Sequence, residues 1–261
     1  MHIVVTIKQV IDPLVPPAHL RLNAATRQVD APAGIAPAMN GYDANALEEA
    51  LKLVGVHGGT VTVVSLGGDS VRDTLRRGIA LGATGALHIT DPGYVGWDAL
   101  DTAHVLAAAI ARYTPDLVLC GRQASDTDAG QVLFGIAEAL GWPVVSPVRA
   151  IHSIEETGVV VDRLTERGSQ KLLVALPAVL GISSEANEPR TPAVRSVMAA
   201  NRARIPTVTR SELGLNAEEG RVVLRRLSRD VHDSHAEIIA GATPAETGAK
   251  LADALHAAGL I

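Results

Sequence analysis

The chain has 261 residues, 47% of them hydrophobic, which is enough for one large domain or a domain with an appendage. Lysine and arginine number 23 against 28 acidic residues, a formal charge of −5 with the signs well mixed, so the basic footprint of a nucleic-acid binder is missing. One cysteine rules out an internal disulfide framework, no apolar run reaches the ~18 to 20 residues that a bilayer requires, and strand-like sequence starts at residue 2; the expectation is a cytoplasmic protein with no membrane span and no leader.

Aromatic residues make up only 2% of the chain, so the core has to be built from Ala, Val, Leu and Ile. The first β-branched run is HIVVTIK (2–8). A long irregular stretch punctuated by prolines occupies 10 to 40, and loops of that length often carry function. YDANALEEALKLVG (42–55) reads as a helix, with Ala44, Leu47, Leu51 and Leu53 or Val54 near one face and acids towards its start, where they suit the helix dipole. TVTVVSL (60–66) is the next strand. DSVRDTLRRGIALG (69–82) is a helix opening on Asp69 or Ser70 as cap and closing on Gly82. ALHIT (86–90), DALDTAHVLAAAIARY (98–113), DLVLC (116–120), DAGQVLFGIAEALG (128–141) and WPVVSPV (142–148) continue the alternation. The strand runs are short and nearly uninterrupted, as parallel strands covered on both faces are. The pattern predicts an α/β fold with a doubly wound, mostly parallel sheet. Its strand carboxyl ends share one edge, where ligands bind.

From about 147 the texture changes. RAIHSIEE, TGVVVDRLTERG, SQKLLVAL and PAVLGIS are strand-like runs with no helix between them, and they predict a small antiparallel extension of the same sheet. After 205 the chain turns polar and proline-punctuated, then ends in AETGAKLADALHAAGLI (245–261) with Leu251, Leu255 and Leu260 near one face. Such a helix either returns to its own sheet or docks on a partner. The expected division is a nucleotide-binding domain over 1–205 and a linker with a C-terminal arm over 206–261.

Three Gly-containing or small-residue turns fall at the ligand edge. GRQASDTDAGQ (121–131) comes directly after a strand; Gly121 permits a tight turn, and Ala124, Ser125, Thr127, Ala129 and Gly130 keep side chains small. Asp126 or Asp128 is the expected cap of the next helix, whose free N–H groups point back into the loop. Backbone amides with Gln123, Thr127 or Gln131 can then meet a ligand. Read locally, the stretch is also an ordinary strand-to-helix turn. Lys8-Gln9-Val10 ends the first strand, where backbone can hydrogen-bond an adenine or the lysine can simply leave for solvent. Ser65-Leu66-Gly67-Gly68-Asp69 is neither GxGxxG nor a P-loop. Cys120 is expected to be a buried, inert thiol. His232 and His235, three apart, lack a completing ligand pattern and read as surface histidines. No nucleophile elbow or Ser-His-Asp order is present.

Ile7-Lys8-Gln9-Val10, Asn40-Gly41-Tyr42-Asp43 leading into ALEEALKL, GRQASDTDAGQ, and LPAVLGISSEANEPR (176–190) together resemble the β subunit of electron-transfer flavoproteins, the ETF β/FixA family. The resemblance spans 2 to about 205, and the tail from about 236 is similar to the family's C-terminal arm. It implies a Rossmann-like, adenine nucleotide alpha hydrolase-like fold. It also implies an electron carrier, not an enzyme, paired with an ETF α subunit that holds most of the FAD near the interface. The β pocket would hold AMP in simple carriers or a second FAD in electron-bifurcating ones. By position, the backbone of Ile7, Lys8 and Gln9 would meet the adenine, with Asn40 and Asp43 beside the ribose. Ser65 and Gly67 would flank the nucleotide. Gly121, Gln123, Ala124, Asp126, Thr127, Asp128, Gly130, Gln131 and Val132 would line the phosphates. Ile182, Ser183, Ser184, Glu185, Ala186 and Asn187 would form the loop that docks a dehydrogenase, and Asn187, Glu188 and Arg190 would shape the turn after it.

Three departures carry weight. Gly41 stands where the family often has proline. Ser184 stands where carriers serving acyl-CoA dehydrogenases have an apolar anchor, which points to a different dehydrogenase or a different docking mode. The Asp126–Val132 sequence is nearer the bifurcating pattern, although Leu133-Phe134 replaces its Gly-Pro, and this favours FAD in the β pocket. The competing readings are a stand-alone adenine-nucleotide module, which would need neither Asn187-Glu188-Pro189-Arg190 nor an arm, and an ATP-using α/β enzyme, which would need an early SGGxDS-type loop.

Overall fold

A computed structural model of the chain describes residues 1–23, 25, 27–91, 94, 98–216, 222, 224–229 and 236–261. The described strands and helices, in chain order, begin with β1 (His2–Thr6), β2 (Gln9–Val10), β3 (Arg21–Asn23), β4 (Gln28–Asp30) and β5 (Ala38–Met39). Next come α1 (Gly41–His57), β6 (Thr60–Leu66), α2 (Val71–Leu81), β7 (Gly85–Thr90), α3 (Ala99–Ala111), β8 (Leu117–Gly121) and α4 (Val132–Leu140). The remainder is β9 (Val144–Glu155), β10 (Gly158–Thr165), β11 (Gly168–Val174), β12 (Ala178–Ile182), α5 (Val194–Asn201), β13 (Thr207–Thr209) and α6 (Pro244–Ala257). The chain forms two compact units, Met1–Arg226 and Leu227–Ile261. The boundary expected near 205 falls just before β13, which pairs in parallel with β7 and so belongs to the sheet.

The first unit is built on a nine-stranded sheet in the order β11-β10-β9-β12-β8-β1-β6-β7-β13. From β9 to β13 every neighbouring pair is parallel. The chain winds outward from β1 through β6 to β7, then returns to the other side of β1 as β8. The crevice between the ends of β1 and β8 is therefore the topological switch point. α1 and α2 cover one face with Leu47, Leu51 and Leu75 against Ile3, Val5 and Val63. α3 and α4 cover the other with Val105, Ile110 and Ile136 against Val4, Val64 and Val118. Both faces of the central strands are thus dry, which is why their sequences run apolar without alternation.

The antiparallel extension consists of β9, β10 and β11. The fourth run assigned to it, PAVLGIS, is instead β12, a fully buried strand inserted in parallel between β8 and β9. Strand-like sequence reports local conformation and not a partner, and an all-apolar strand gains most where both faces are covered. The 10–40 stretch carries two small ribbons, β2 with β5 and β3 with β4. Ser70 does stand at the start of α2, but it does not cap it: its hydroxyl donates to Gln9 Oε1. Asp98 caps α3, accepting the N–H groups of Leu100 and Asp101 at 3.0 Å. In the second unit, Thr243 caps α6 by accepting Glu246 N–H, and the Glu246 carboxylate accepts the N–H of Ala242, the residue before the cap.

The segment after β13 is fastened by Arg210. Its guanidinium donates to both oxygens of Asp101 on α3, at 2.8 and 2.6 Å, and to Asp91 beyond β7 at 2.7 Å. Its side chain is only 12% exposed. Truncating it strands two poorly hydrated carboxylates, so Arg210→Ala is expected to cost about 3 to 5 kcal/mol; a urea denaturation midpoint equal to that of the unaltered chain would contradict this.

Candidate functional site

At the switch point the β1–β8 ladder stops with Val5 opposite Leu119. Beyond it the two strands diverge, and Asp43 from the first turn of α1 bridges the gap. Its Oδ2 accepts Lys8 N–H at 2.7 Å and its Oδ1 accepts Gly121 N–H at 3.1 Å. A Cβ on Gly121 would land on Asp43 Oδ1 and within 2.8 Å of Asp43 N, so only glycine lets the strand end approach the helix this closely. Asn40, the residue before α1, holds the next part of the loop. Its amide donates to Gln123 O at 2.8 Å and its Oδ1 accepts Ser125 N–H at 3.1 Å.

The loop so fastened roofs a cavity of about 390 Å³. Its floor and walls come from Thr6 at the end of β1 with Ile7 and Lys8 beyond it, Cys120 and Gly121 at the end of β8, and Ala99, Thr102 and Leu106 on α3. The roof is the run from Arg122 to Leu133. Asp128 and Gly130 have φ of 53° and 60°, left-handed values that turn the chain back towards α4. α4 starts after Gln131 with no side-chain cap and no acid in its first turn, and Gln131, Val132 and Leu133 all line the cavity. An uncapped helix N-terminus facing a concave site suits an anion.

Neither aspartate caps that helix, contrary to expectation. Asp126 Oδ1 pairs with Lys8 Nζ at 2.7 Å, and Asp128 accepts from the Gln123 side-chain amide. A tertiary partner for Asp126 and a partner within the loop for Asp128 outcompete the cap, and the α4 terminus stays open. Gln123 also accepts from Arg122 Nε at 3.0 Å, and the Arg122 guanidinium lies 5.2 Å from the Tyr42 ring centroid.

Of the residues expected at the nucleotide, Ile7, Lys8, Asn40, Asp43, Gly121, Gln123, Ala124, Asp126, Thr127, Gly130, Gln131 and Val132 line this one cavity. The polar atoms of Asn40 and Asp43 are bonded to the loop and strand ends, so these two act as scaffold for the site. Gln9 and Gly67 line an adjoining recess. The Gln9 side chain bonds to Ser70 and Thr74 on the α2 side. Ser65 lines neither hollow: it is buried, and its hydroxyl has no partner among the described residues. Asp128 is exposed on the outside of the loop. Arg122, Thr102 and Leu106 were not anticipated. The α3 residues had a legible signal, because Ala99, Thr102 and Leu106 share one helix face at i, i+3 and i+7.

The segment expected to dock a dehydrogenase divides. Ile182 and Ser183 are buried, Ser184 and Glu185 are exposed on a 3-10 turn, and Ala186 and Asn187 are half-buried. Asn187 packs against α1, its amide donating to Asn45 O at 2.9 Å and Glu49 Oε1 at 2.8 Å. Arg190 forks onto Glu48 at 2.7 and 3.0 Å. Burial pushes the Glu48 carboxyl up, but the Arg190 hydrogen bonds outweigh it and hold it below the usual range. Burial pushes the Cys120 thiol up to about 12, so it stays protonated and inert. Among the described residues no cluster of three or more His, Cys, Asp or Glu offers a metal site, and no helix is long and apolar enough to cross a membrane. His232 and His235 lie outside the described residues.

This geometry defines a doubly wound α/β protein with a cavity at its switch point, roofed by backbone and small side chains. Residues 31–213 match the Electron transfer flavoprotein domain family. The chain is 36% identical over 231 residues to the electron transfer flavoprotein subunit beta of Thermoanaerobacterium thermosaccharolyticum, covering 85% of this chain and 86% of that one. It is 36% identical over 222 residues to Protein FixA of Azorhizobium caulinodans, covering 82% and 77%. It is 33% identical over 181 residues to the electron transfer flavoprotein subunit beta of Mycobacterium tuberculosis, covering 67% of each. The chain belongs to the electron transfer flavoprotein β subunit/FixA family.

Burial pushes the Asp43 carboxyl from 3.8 up to about 7, against the lowering pull of the Lys8 and Gly121 amides and Asn40. Between those two pH values the folded chain keeps a proton that the unfolded chain has released. This contribution to stability is complete below 3.8 and is lost as pH rises through 7, on the order of 4 kcal/mol in full. A carboxyl-carbon NMR titration should show one aspartate with a midpoint near 7 that disappears in Asp43→Asn; an Asp43 midpoint near 4 would refute this.

Proposed function

We propose that the chain is the β subunit of a two-subunit electron carrier. Paired with an α subunit in the cytoplasm, it passes electrons on FAD between a dehydrogenase and a downstream acceptor. The observation that carries this reading is the open α4 terminus facing the switch-point cavity, in a chain of this family. The cavity lies within the size range of small-molecule sites. Its free donors suit the phosphate of an adenine nucleotide: these are the N–H groups around Gly130 to Leu133, whereas the N–H groups of Ile7 and Lys8 are taken up by Val64 O and Asp43. The flavin supplies one- and two-electron chemistry, and the protein supplies binding, orientation and electrostatics.

The Asp126–Val132 sequence favours FAD over AMP as the occupant of this cavity, as in a bifurcating carrier. Val132 brings no hydroxyl to the first turn of α4, so phosphate there relies on main-chain N–H groups. The arm is proposed to dock on the α subunit, and α6 carries an exposed Leu251 for such a contact. At the tip of the docking segment, Ser184 and Glu185 offer no apolar anchor. The electron donor is therefore proposed to be a dehydrogenase of another class than the acyl-CoA dehydrogenases.

Two experiments test these statements. The chain, purified with its α subunit without added nucleotide and then denatured, is expected to release two FAD per heterodimer and no AMP. One FAD with one AMP would make it a simple carrier, and the absence of both would overturn the reading. In a coupled assay, a medium-chain acyl-CoA dehydrogenase is expected to reduce the heterodimer only poorly; efficient, saturable reduction would remove the argument from Ser184.

A further inference from the structure

Beside the main cavity lies a second recess of about 250 Å³. Gln9, Gln28 and the Gly67–Gly68 turn belong to it alone, while Lys8, Leu66, Tyr94, Asp126 and Thr127 line both hollows. The shared boundary is spanned by the ion pair between Lys8 Nζ and Asp126 Oδ1. Its charges come from opposite banks, the cation from the end of β1 and the anion from the loop after β8. The backbone on both banks is pinned. Lys8 N–H is held by Asp43, Lys8 O accepts Asn40 N–H at 3.0 Å, and Ser125 N–H, next to Asp126, is held by Asn40. Only the two side chains are left to part. They are 34% and 36% exposed, so the pair is worth no more than about 1 kcal/mol and a ligand can open it.

We propose that the Lys8–Asp126 pair is a latch between two compartments of one site, and that it sets the choice between a mononucleotide and a ligand joined through a diphosphate. The inference rests on the nucleotide reading above. An adenosine monophosphate group fills the cavity and ends at the boundary with the pair closed. A group attached beyond that phosphate enters the recess only by drawing Lys8 away from Asp126. The second phosphate and the Asp126 carboxylate carry the same sign and compete for the same ammonium. Lys8 is therefore the gain, and Asp126 the opposing charge, for a diphosphate-linked ligand. The Gly67–Gly68 turn, without side chains, leaves the recess clear for the group beyond the second phosphate. A pair that served only as a brace would affect all ligands of the cavity alike.

The test uses the full chain with its α subunit, stripped of nucleotide, and calorimetric titration with AMP and with ADP-ribose, a diphosphate-linked ligand that carries no flavin. The affinity ratio of ADP-ribose to AMP is expected to rise roughly tenfold in Asp126→Asn and to fall roughly tenfold in Lys8→Met, the scale of one charge-assisted hydrogen bond. AMP binding by each variant reports that the cavity is folded. A ratio that stays constant, or that moves the same way in both variants, overturns the latch and leaves the nucleotide reading standing. Failure of the unaltered protein to bind either ligand overturns the nucleotide reading and the latch with it.

Discussion

The Asp43 carboxyl group accepts Lys8 N–H on one oxygen and Gly121 N–H on the other, and so joins two strand ends at the point where their own ladder has stopped. A parallel sheet that reverses its winding direction must open a crevice there, and the amides lining it would otherwise be buried without acceptors. One acid at the start of α1 satisfies both. The arrangement has a cost that shows in the raised pKa, because the same burial that makes the amides need a partner penalises the charge that serves them. Gly121 is the steric counterpart, since any side chain there would occupy the place of the carboxyl oxygen.

α1 organises more than this crevice. Asn40 and Asp43 at its start hold the ligand edge, and Asn45, Glu48 and Glu49 one to two turns later hold Asn187 and Arg190. These polar residues are largely withdrawn from water on a helix whose apolar positions also face the core. They are tolerated because each has specific partners. The loop after β8 and the segment after β12 are thereby referenced to one rigid element, although about sixty residues of sequence separate them. Movement of α1 would be felt at both.

The electrostatics of the cavity arise from pairings that neutralise charge at its wall. A loop with two aspartates is an odd host for an anion, but Asp126 is drawn to Lys8 and Asp128 to Gln123, and neither occupies the α4 N-terminus. The terminal N–H groups are left as the most electropositive backbone of the roof. Arg122, set over Tyr42 and tied to Gln123, adds a cation to the same rim without a carboxylate partner among the described bonds.

Sequence alone determined the alternation of strands and helices, the sheet edge at which the cavity opens, and the 121–131 loop as part of its lining. These depend on periodicity, turn chemistry and residue size, which are local properties. The residues resembling the family carried its name as well, and most of those expected at the nucleotide line one cavity. Only the tertiary structure decided which residues touch ligand space and which support it. Asn40, Asp43 and Gln9 are polar residues at the right edge, yet their side chains are taken up by backbone and by α2. The place of β12 between β8 and β9 was equally hidden, because an apolar run specifies a strand but not its neighbours. The partner of Asp126 was misread for the same reason. A cap is the nearest acceptor site along the chain, but Lys8, distant in sequence, is brought within 2.7 Å of Asp126 by the winding of the sheet, and a folded chain pairs charges by distance in space.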